Sequence, residues 1–229
     1  MSDVPDILTL DSQVKMPLMQ LPTRTPVVRL SQGVVMLSPG PQCDLSRCSQ
    51  FGTVTDIVAP TTFHHLGVQK AVQAFPSAKL WGVAGFADKR PDIPWNQTLT
   101  GATWPYNDEL PLIELQGMPK INEVVFFHRK SKTLLVSDLC FNMVNARGFG
   151  AWLILNLFGT YRRFGCSRLF LKFVQDRAAF EQSLAQLFDF DFDRIIMSHG
   201  EIVASGGREK LLAALAERGY RPAAKPAMA

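Results

Sequence analysis

Apolar positions recur along the chain with two different periods, and the switches between them divide it into elements. Residues 27–30 and 34–37 are short apolar runs separated by Ser31, Gln32 and Gly33, which predicts a β-hairpin. Residues 56–59 form an apolar run stopped by Pro60, the pattern of a buried strand that ends there. Leu66, Val68, Val72 and Phe75 then follow near helical spacing up to Pro76, and 79–83 reads as the next strand, giving a strand, loop, helix and strand in succession. Residues 89–110, with three prolines and two tryptophans, predict a long irregular loop of the kind that covers or forms a site. Strands are expected at 112–115, 123–128 and 133–137, the last two joined by the turn Arg129-Lys130-Ser131-Lys132. Helical spacing returns with Trp152, Ile154 and Leu157, and again with Phe180, Leu184, Leu187 and Phe188. A final strand at 194–198 and a closing helix at 211–218 complete the pattern, and no repeat of 20 to 50 residues is present.

The ends lack such periods. The first 25 residues carry three prolines and predict an N-terminal arm at 1–25, followed by one domain at 26–220 and a frayed Pro/Ala-rich tail at 221–229. With 47% hydrophobic and 19% charged residues, the chain suits a compact globular protein. A net charge of +4 without any run of five like charges gives no expectation of specific nucleic-acid binding. Cys43, Cys48, Cys140 and Cys166 form neither a CxxC pair nor a zinc-finger spacing. Asp3 and Asp6 open a segment without a basic start or an apolar core, so no signal peptide is expected and a cytoplasmic location follows as the default. The longest apolar run, 151–158, contains Asn156 and falls well short of the roughly 20 residues that span a bilayer. The stretch 152–173, rich in aromatics and arginines, is read as a core helix with basic flanks, and contact with a membrane surface is its alternative.

Three of the four histidines lie where strands give way to loops. His64 and His65 follow the strand stopped by Pro60, His199 follows 194–198, and Asp138 follows 133–137 in the same manner. Open α/β sheets gather ligand groups at the carboxyl ends of their strands, so these positions can share a pocket. Taken singly, an aspartate after a strand is a turn former and a histidine before glycine a turn residue. Glu123, opening a strand, is read as solvated, with an outer-shell role behind metal histidines as its alternative. His128, beside the basic turn, is expected to be exposed.

Residues 53–65, 123–138 and 195–200 resemble, in order, three core motifs of the metallo-β-lactamase superfamily. The superfamily's His-x-His-x-Asp-His motif aligns with Pro60-Thr61-Thr62-Phe63-His64-His65, where Pro60 and Thr62 stand at the first two histidines, His64 at the aspartate and His65 at the last histidine. Leu134-Leu135-Val136-Ser137-Asp138 is similar to the strand ending in the metal-bridging aspartate, and Ser198-His199-Gly200 to the final Gly-His turn. Gly117-Met118-Pro119, the nearest match to a further Gly-His turn, lacks the histidine. With its first motif in a Pro-x-x-x-His-His form, the chain resembles an uncharacterised branch of that superfamily.

The resemblance implies an α/β fold, a four-layer α/β/β/α sandwich. It implies one metal cage without ligands and a second built from His64, His65, Asp138 and His199. Such a set suits one divalent metal, zinc or ferrous iron. The expected function is that of a mononuclear metal-dependent hydrolase acting on a small-molecule substrate, with His64 as general base where it misses the metal and Asp138 beside it. The alternative is a non-catalytic relic that binds a ligand or a protein partner, its old site closed by hydrogen bonds.

Overall fold

A computed structural model describes residues 4–224. Two mixed sheets pack face to face. The first runs β1 (Ile7–Lys15), β2 (Gln20–Leu30), β3 (Gly33–Leu37), β4 (Val54–Ala59), β5 (Lys79–Gly82) and β6 (Gln97–Thr98) in sequence order. Its β1–β2 and β2–β3 pairs are antiparallel and the remaining pairs parallel. Three short helices accompany it: α1 (Cys48–Phe51), α2 (Val68–Ala74) and α3 (Phe86–Lys89). The second sheet collects β7 (Leu112–Glu114), β8 (Val124–His128) and β9 (Thr133–Val136), with a small β10–β11 ribbon (Phe141–Asn142 and Phe164–Gly165) standing apart. Around these lie α4 (Phe149–Phe158), α5 (Arg168–Leu171) and α6 (Arg177–Leu187), after which β12 (Arg194–Met197) adds to the sheet's edge parallel to β9 and α7 (Gly207–Ala216) closes the fold.

Side-chain alternation in the second sheet shows why there are four layers. Successive strand residues face opposite sides. Val124, Phe126, Leu135 and Ile196 join the core shared with the first sheet, while Val125, Phe127, Leu134, Ile195 and Met197 join a second core with Phe180, Leu184, Leu187, Leu211 and Leu215 of α6 and α7. A sheet buried on both faces reads as a continuous apolar run, as 124–127 and 133–136 do. The architecture is the expected α/β/β/α sandwich.

The predicted N-terminal arm is corrected. Residues 7–30 form a hairpin whose first strand pairs along its whole length, Ile7 opposite Val28 through Lys15 opposite Gln20. Pro22, one of the three prolines behind the arm reading, and Pro26 share an edge of β2 with Arg24, because backbone polar groups alternate sides along a strand. Arg24 directs its N–H away from β1, to the Ser198 carbonyl at 2.8 Å. Neighbouring β3 pairs only with residues 27–30, so the missing proline N–H groups interrupt no ladder. Of the predicted tail, Arg221 and Ala223 are tied to Glu181 of α6 by backbone N–H bonds. Residues 225–229 lie outside the described residues, as do 1–3 of the arm.

Helix α4 also differs from the core helix expected. It buries Ala151 and Leu155, whereas Phe149 is 75% exposed and Leu157 72%, with Trp152 and Leu153 exposed beside them. The long loop after α3 packs Trp104 into the first core and sends the Tyr106 hydroxyl to buried Asp56 at 2.6 Å. All four cysteines are buried and free.

Candidate metal centre

Strand register brings the first two candidate ligands together. β9 and β12 are parallel neighbours with Leu135 opposite Ile196 and Val136 opposite Met197, so Asp138 and His199, each two residues further on, leave the same end of the sheet side by side. His199 Nε2 lies 3.2 Å from Asp138 Oδ1. The third ligand crosses from the other sheet. Past Pro60, the loop between β4 and α2 carries His64, whose Nε2 lies 3.4 Å from Asp138 Oδ2. Ligand atoms of His64, Asp138 and His199 all fall within 4.8 Å of one another, the one such group of three among the described residues.

These separations fit a metal. Two donors at about 2.1 Å from a tetrahedral ion stand about 3.4 Å apart, close to the separation of each imidazole from the Asp138 oxygen it faces. The outward nitrogens fit as well. His199 Nδ1 lies 2.9 Å from the Pro22 carbonyl, which can only accept, so Nδ1 carries the proton and Nε2 is left facing a carboxylate that also only accepts. A positive charge, proton or metal ion, must sit between them. Carbonyl-oriented histidines of this kind surround protein-bound metals. The His199 ring is fixed further by stacking on Phe141, with centroids 5.0 Å apart and an interplanar angle of 8°. His64 Nδ1 meets the hydroxyl of Ser38 in a short hydrogen bond. Ser38 ends β3 with φ of 52°, a left-handed conformation costing a serine on the order of 1 kcal/mol.

Electrostatics centre on Asp138. Burial alone would raise its carboxyl, but the charges and hydrogen bonds of His64 and His199 outweigh that and hold it well below the usual carboxylate range. Behind it stands Glu123, which is 0% exposed and corrects the expectation of a solvated side chain. Its Oε1 accepts from the N–H groups of Ser137 at 2.9 Å, Asp138 at 3.1 Å and Leu139 at 3.3 Å, so it clamps the loop that presents Asp138. Burial and then the Asp138 charge push the Glu123 carboxyl up to about 8, against the pull of those N–H groups.

The structure separates the adjacent histidines. His64 joins the cluster, and His65 does not. His65 Nδ1 lies 3.3 Å from its own loop's Thr62 carbonyl, and its ring packs edge-on against Phe86 of α3. Burial, then the charge of Lys89, holds its pKa below 6.5, surroundings unlike those of the cluster. The positions where the superfamily motif has histidines serve the backbone instead. The Pro60 carbonyl accepts from Val124 N–H, Thr62 N–H donates to the Ile121 carbonyl, and the Thr62 hydroxyl donates to Lys120. Gly117 uses its carbonyl to receive the N–H groups of Gln175 and Asp176 at the start of α6. His128, expected to be exposed, is 2% exposed and bonded through Nδ1 to Ser131 Oγ at 2.7 Å, on the last residue of β8.

Above the cluster opens a cavity of about 310 Å³, with His64, Asp138 and His199 in its wall. Met16, Met19 and Leu21 of the first hairpin, Phe63 and Leu66, Ile154 and Phe158 of α4, and Phe170 and Phe173 give it a mostly apolar lining. Asp138 is its one carboxylate among the described residues, and no residue of the 89–110 loop lines it. Sequence reasoning gave the polar end of this cavity but not its walls, which come from five separate segments.

Comparison with known proteins agrees with this architecture. A family model described as a domain of unknown function, DUF4336, matches residues 5–147. No curated protein matches by sequence. Among solved structures, a metallo-beta-lactamase from Pontibacter korlensis superposes with a TM-score of 0.63 at 14% identity, over 94% of this chain and 97% of that one. The metallo-beta-lactamase FIM-1 from Pseudomonas aeruginosa in its mono-zinc form gives 0.64 at 13% identity, over 95% and 94%. A metallo-beta-lactamase from Erythrobacter litoralis, with beta-mercaptoethanol in its active site, gives 0.62 at 14% identity, over 93% and 94%. At such identities the likeness shows the fold, that of the metallo-β-lactamase superfamily.

Proposed function

The chain belongs to the DUF4336 family, and from that premise we propose that it is a mononuclear metal-dependent hydrolase, with His64, Asp138 and His199 as the ligands of one divalent ion. The observation that carries the reading is the convergence of those three ligand atoms, within 4.8 Å, in the wall of an apolar cavity. Two histidines and one carboxylate suit zinc with an open position, and equally ferrous iron. When bound, such an ion supplies an acidified water and an electrophile for a carbonyl or phosphoryl oxygen.

The chain's own groups do the rest. Pro22 and Ser38 orient the two imidazoles, and Glu123 holds the Asp138 loop. Both ring nitrogens of His64 are engaged, by Ser38 and Asp138, which favours a place in the ligand set over a general-base role. Asp138, the carboxylate in the cavity wall, supplies the negative charge that would hold the ion between the two imidazoles. Met16, Met19, Leu21, Phe158 and Phe170 exclude water and favour a substrate with an apolar portion beside its ester, thioester, amide or phosphodiester bond.

The test combines elemental analysis with a panel of esters, thioesters and phosphodiesters of increasing chain length. The reading expects about one equivalent of zinc or iron and turnover that rises with chain length and falls at least about 100-fold in Asp138→Asn. Protein without stoichiometric metal that turns over none of the panel would leave a non-catalytic ligand-binding fold instead.

A further inference from the structure

The outer face of α4 is unlike the rest of the surface. Phe149, Trp152, Leu153 and Leu157 stand exposed on one short helix, with the Phe149 and Trp152 rings stacked at 5.7 Å. Helix α5 packs beside α4 and adds exposed Leu169, while Leu18 in the turn of the first hairpin lies against Gly150. Soluble monomers rarely leave so many large apolar side chains together in water.

Charge distinguishes this face from an ordinary protein interface. From residue 139 to 175 the chain has five cations, Arg147, Arg162, Arg163, Arg168 and Lys172, and no acidic residue. Arg163 is answered by Glu217 of α7. Arg147, Arg162, Arg168 and Lys172 are exposed and stand in no ion pair among the described residues. A second copy of the chain would bring the same cations against them. A nucleic acid would satisfy the cations but leave the apolar side chains wet. An anionic bilayer satisfies both, since headgroups take the cations and the acyl boundary takes the aromatic and aliphatic tips.

We propose that the α4–α5 face docks on an anionic lipid bilayer. Leu169, Phe63 and Leu66 are exposed and also line the apolar cavity, so docking seats its rim against the lipid. The geometry then gives the cavity an acyl-bearing ligand drawn from the membrane. That last step extends the hydrolase reading, but the docking itself needs no metal. No described helix is long and apolar enough to cross the bilayer, so the contact is interfacial.

Trp152 provides the readout, since it is exposed and the other tryptophans, Trp81, Trp95 and Trp104, are buried or half-buried. Full-length protein is mixed with vesicles of phosphatidylcholine alone or of phosphatidylcholine with phosphatidylglycerol. Docking gives co-sedimentation and a blue shift of tryptophan emission on the anionic vesicles, both weakened by salt, with the shift missing in Trp152→Phe. Phe149→Ser with Leu157→Ser, and separately Arg147→Glu with Lys172→Glu, each lower vesicle affinity at least about tenfold. These side chains are exposed, and an unchanged circular dichroism spectrum separates lost binding from lost folding. Asp138→Asn still binds vesicles, which keeps failure of docking distinct from failure of the hydrolase. Equal behaviour with and without anionic vesicles overturns the proposal. So does concentration-dependent self-association that Phe149→Ser with Leu157→Ser abolishes, which would assign the face to a second copy.

Discussion

The two sides of the candidate metal centre are held in different ways. Asp138 and His199 are delivered by parallel neighbours in one sheet, so their meeting follows from the β9–β12 register. His64 comes from a loop on the other sheet, where Pro60 and Thr62 are backbone-bonded anchors to residues 120–124. On the sheet side, backbone geometry fixes the ligands and a buried carboxylate braces them. On the loop side, one side chain and its Ser38 contact complete the site. The difference teaches that the two strand-borne positions would be held by the sheet in any case, whereas the third depends on how one loop is anchored.

The largest effect is expected on the braced side. Glu123→Ala strips the acceptor from three buried N–H groups and should cost about 3 kcal/mol or more, a fall of roughly 10 °C in Tm, read by urea and thermal melts. A loss below about 1 kcal/mol would mean that the sheet alone holds the loop. A smaller change is expected opposite. Ser38→Ala removes the partner of His64 Nδ1 and should weaken metal affinity about tenfold with little change in melting, measured by competition with a chelator. Unchanged affinity would show that the loop orients His64 without it.

The smallest effect lies away from the centre and serves as its control. Burial, the leading cause, holds the His128 pKa below 6.5, so the folded protein takes up its proton less readily than the unfolded chain. Its contribution to stability is therefore complete above that value and is lost as pH falls below it. His128→Gln should narrow the difference in urea midpoint between about pH 7.5 and about pH 5.5, with metal content unchanged. An equal acid loss in both proteins would contradict this placement.

Much of this was legible in the sequence, and the failures share a cause. Apolar runs ending at Ser137 and Ser198 put Asp138 and His199 just past strand ends, where the structure has them, because a buried strand announces itself in composition and its carboxyl end is where a loop begins. The adjacent histidines after Pro60 could not be told apart, since which of two neighbours points inward depends on a loop conformation set by distant residues such as Ser38 and Phe86. Glu123 and His128 looked solvated because polar residues at strand ends usually are, and their partners lie in other segments. The N-terminal part of β2 was hidden by Pro22, which breaks a pattern but not the bonded edge, while its last residues, 27–30, were legible as a strand. Helix α4 was read as core from its apolar residues, although most of its large side chains face outward.

Metal stoichiometry in His64→Ala and His65→Ala, prepared and measured beside the wild type by elemental analysis, tests the centre most directly. The account predicts about one equivalent of metal in the wild type and in His65→Ala and its loss in His64→Ala. Metal retained without His64 and lost without His65 would contradict it.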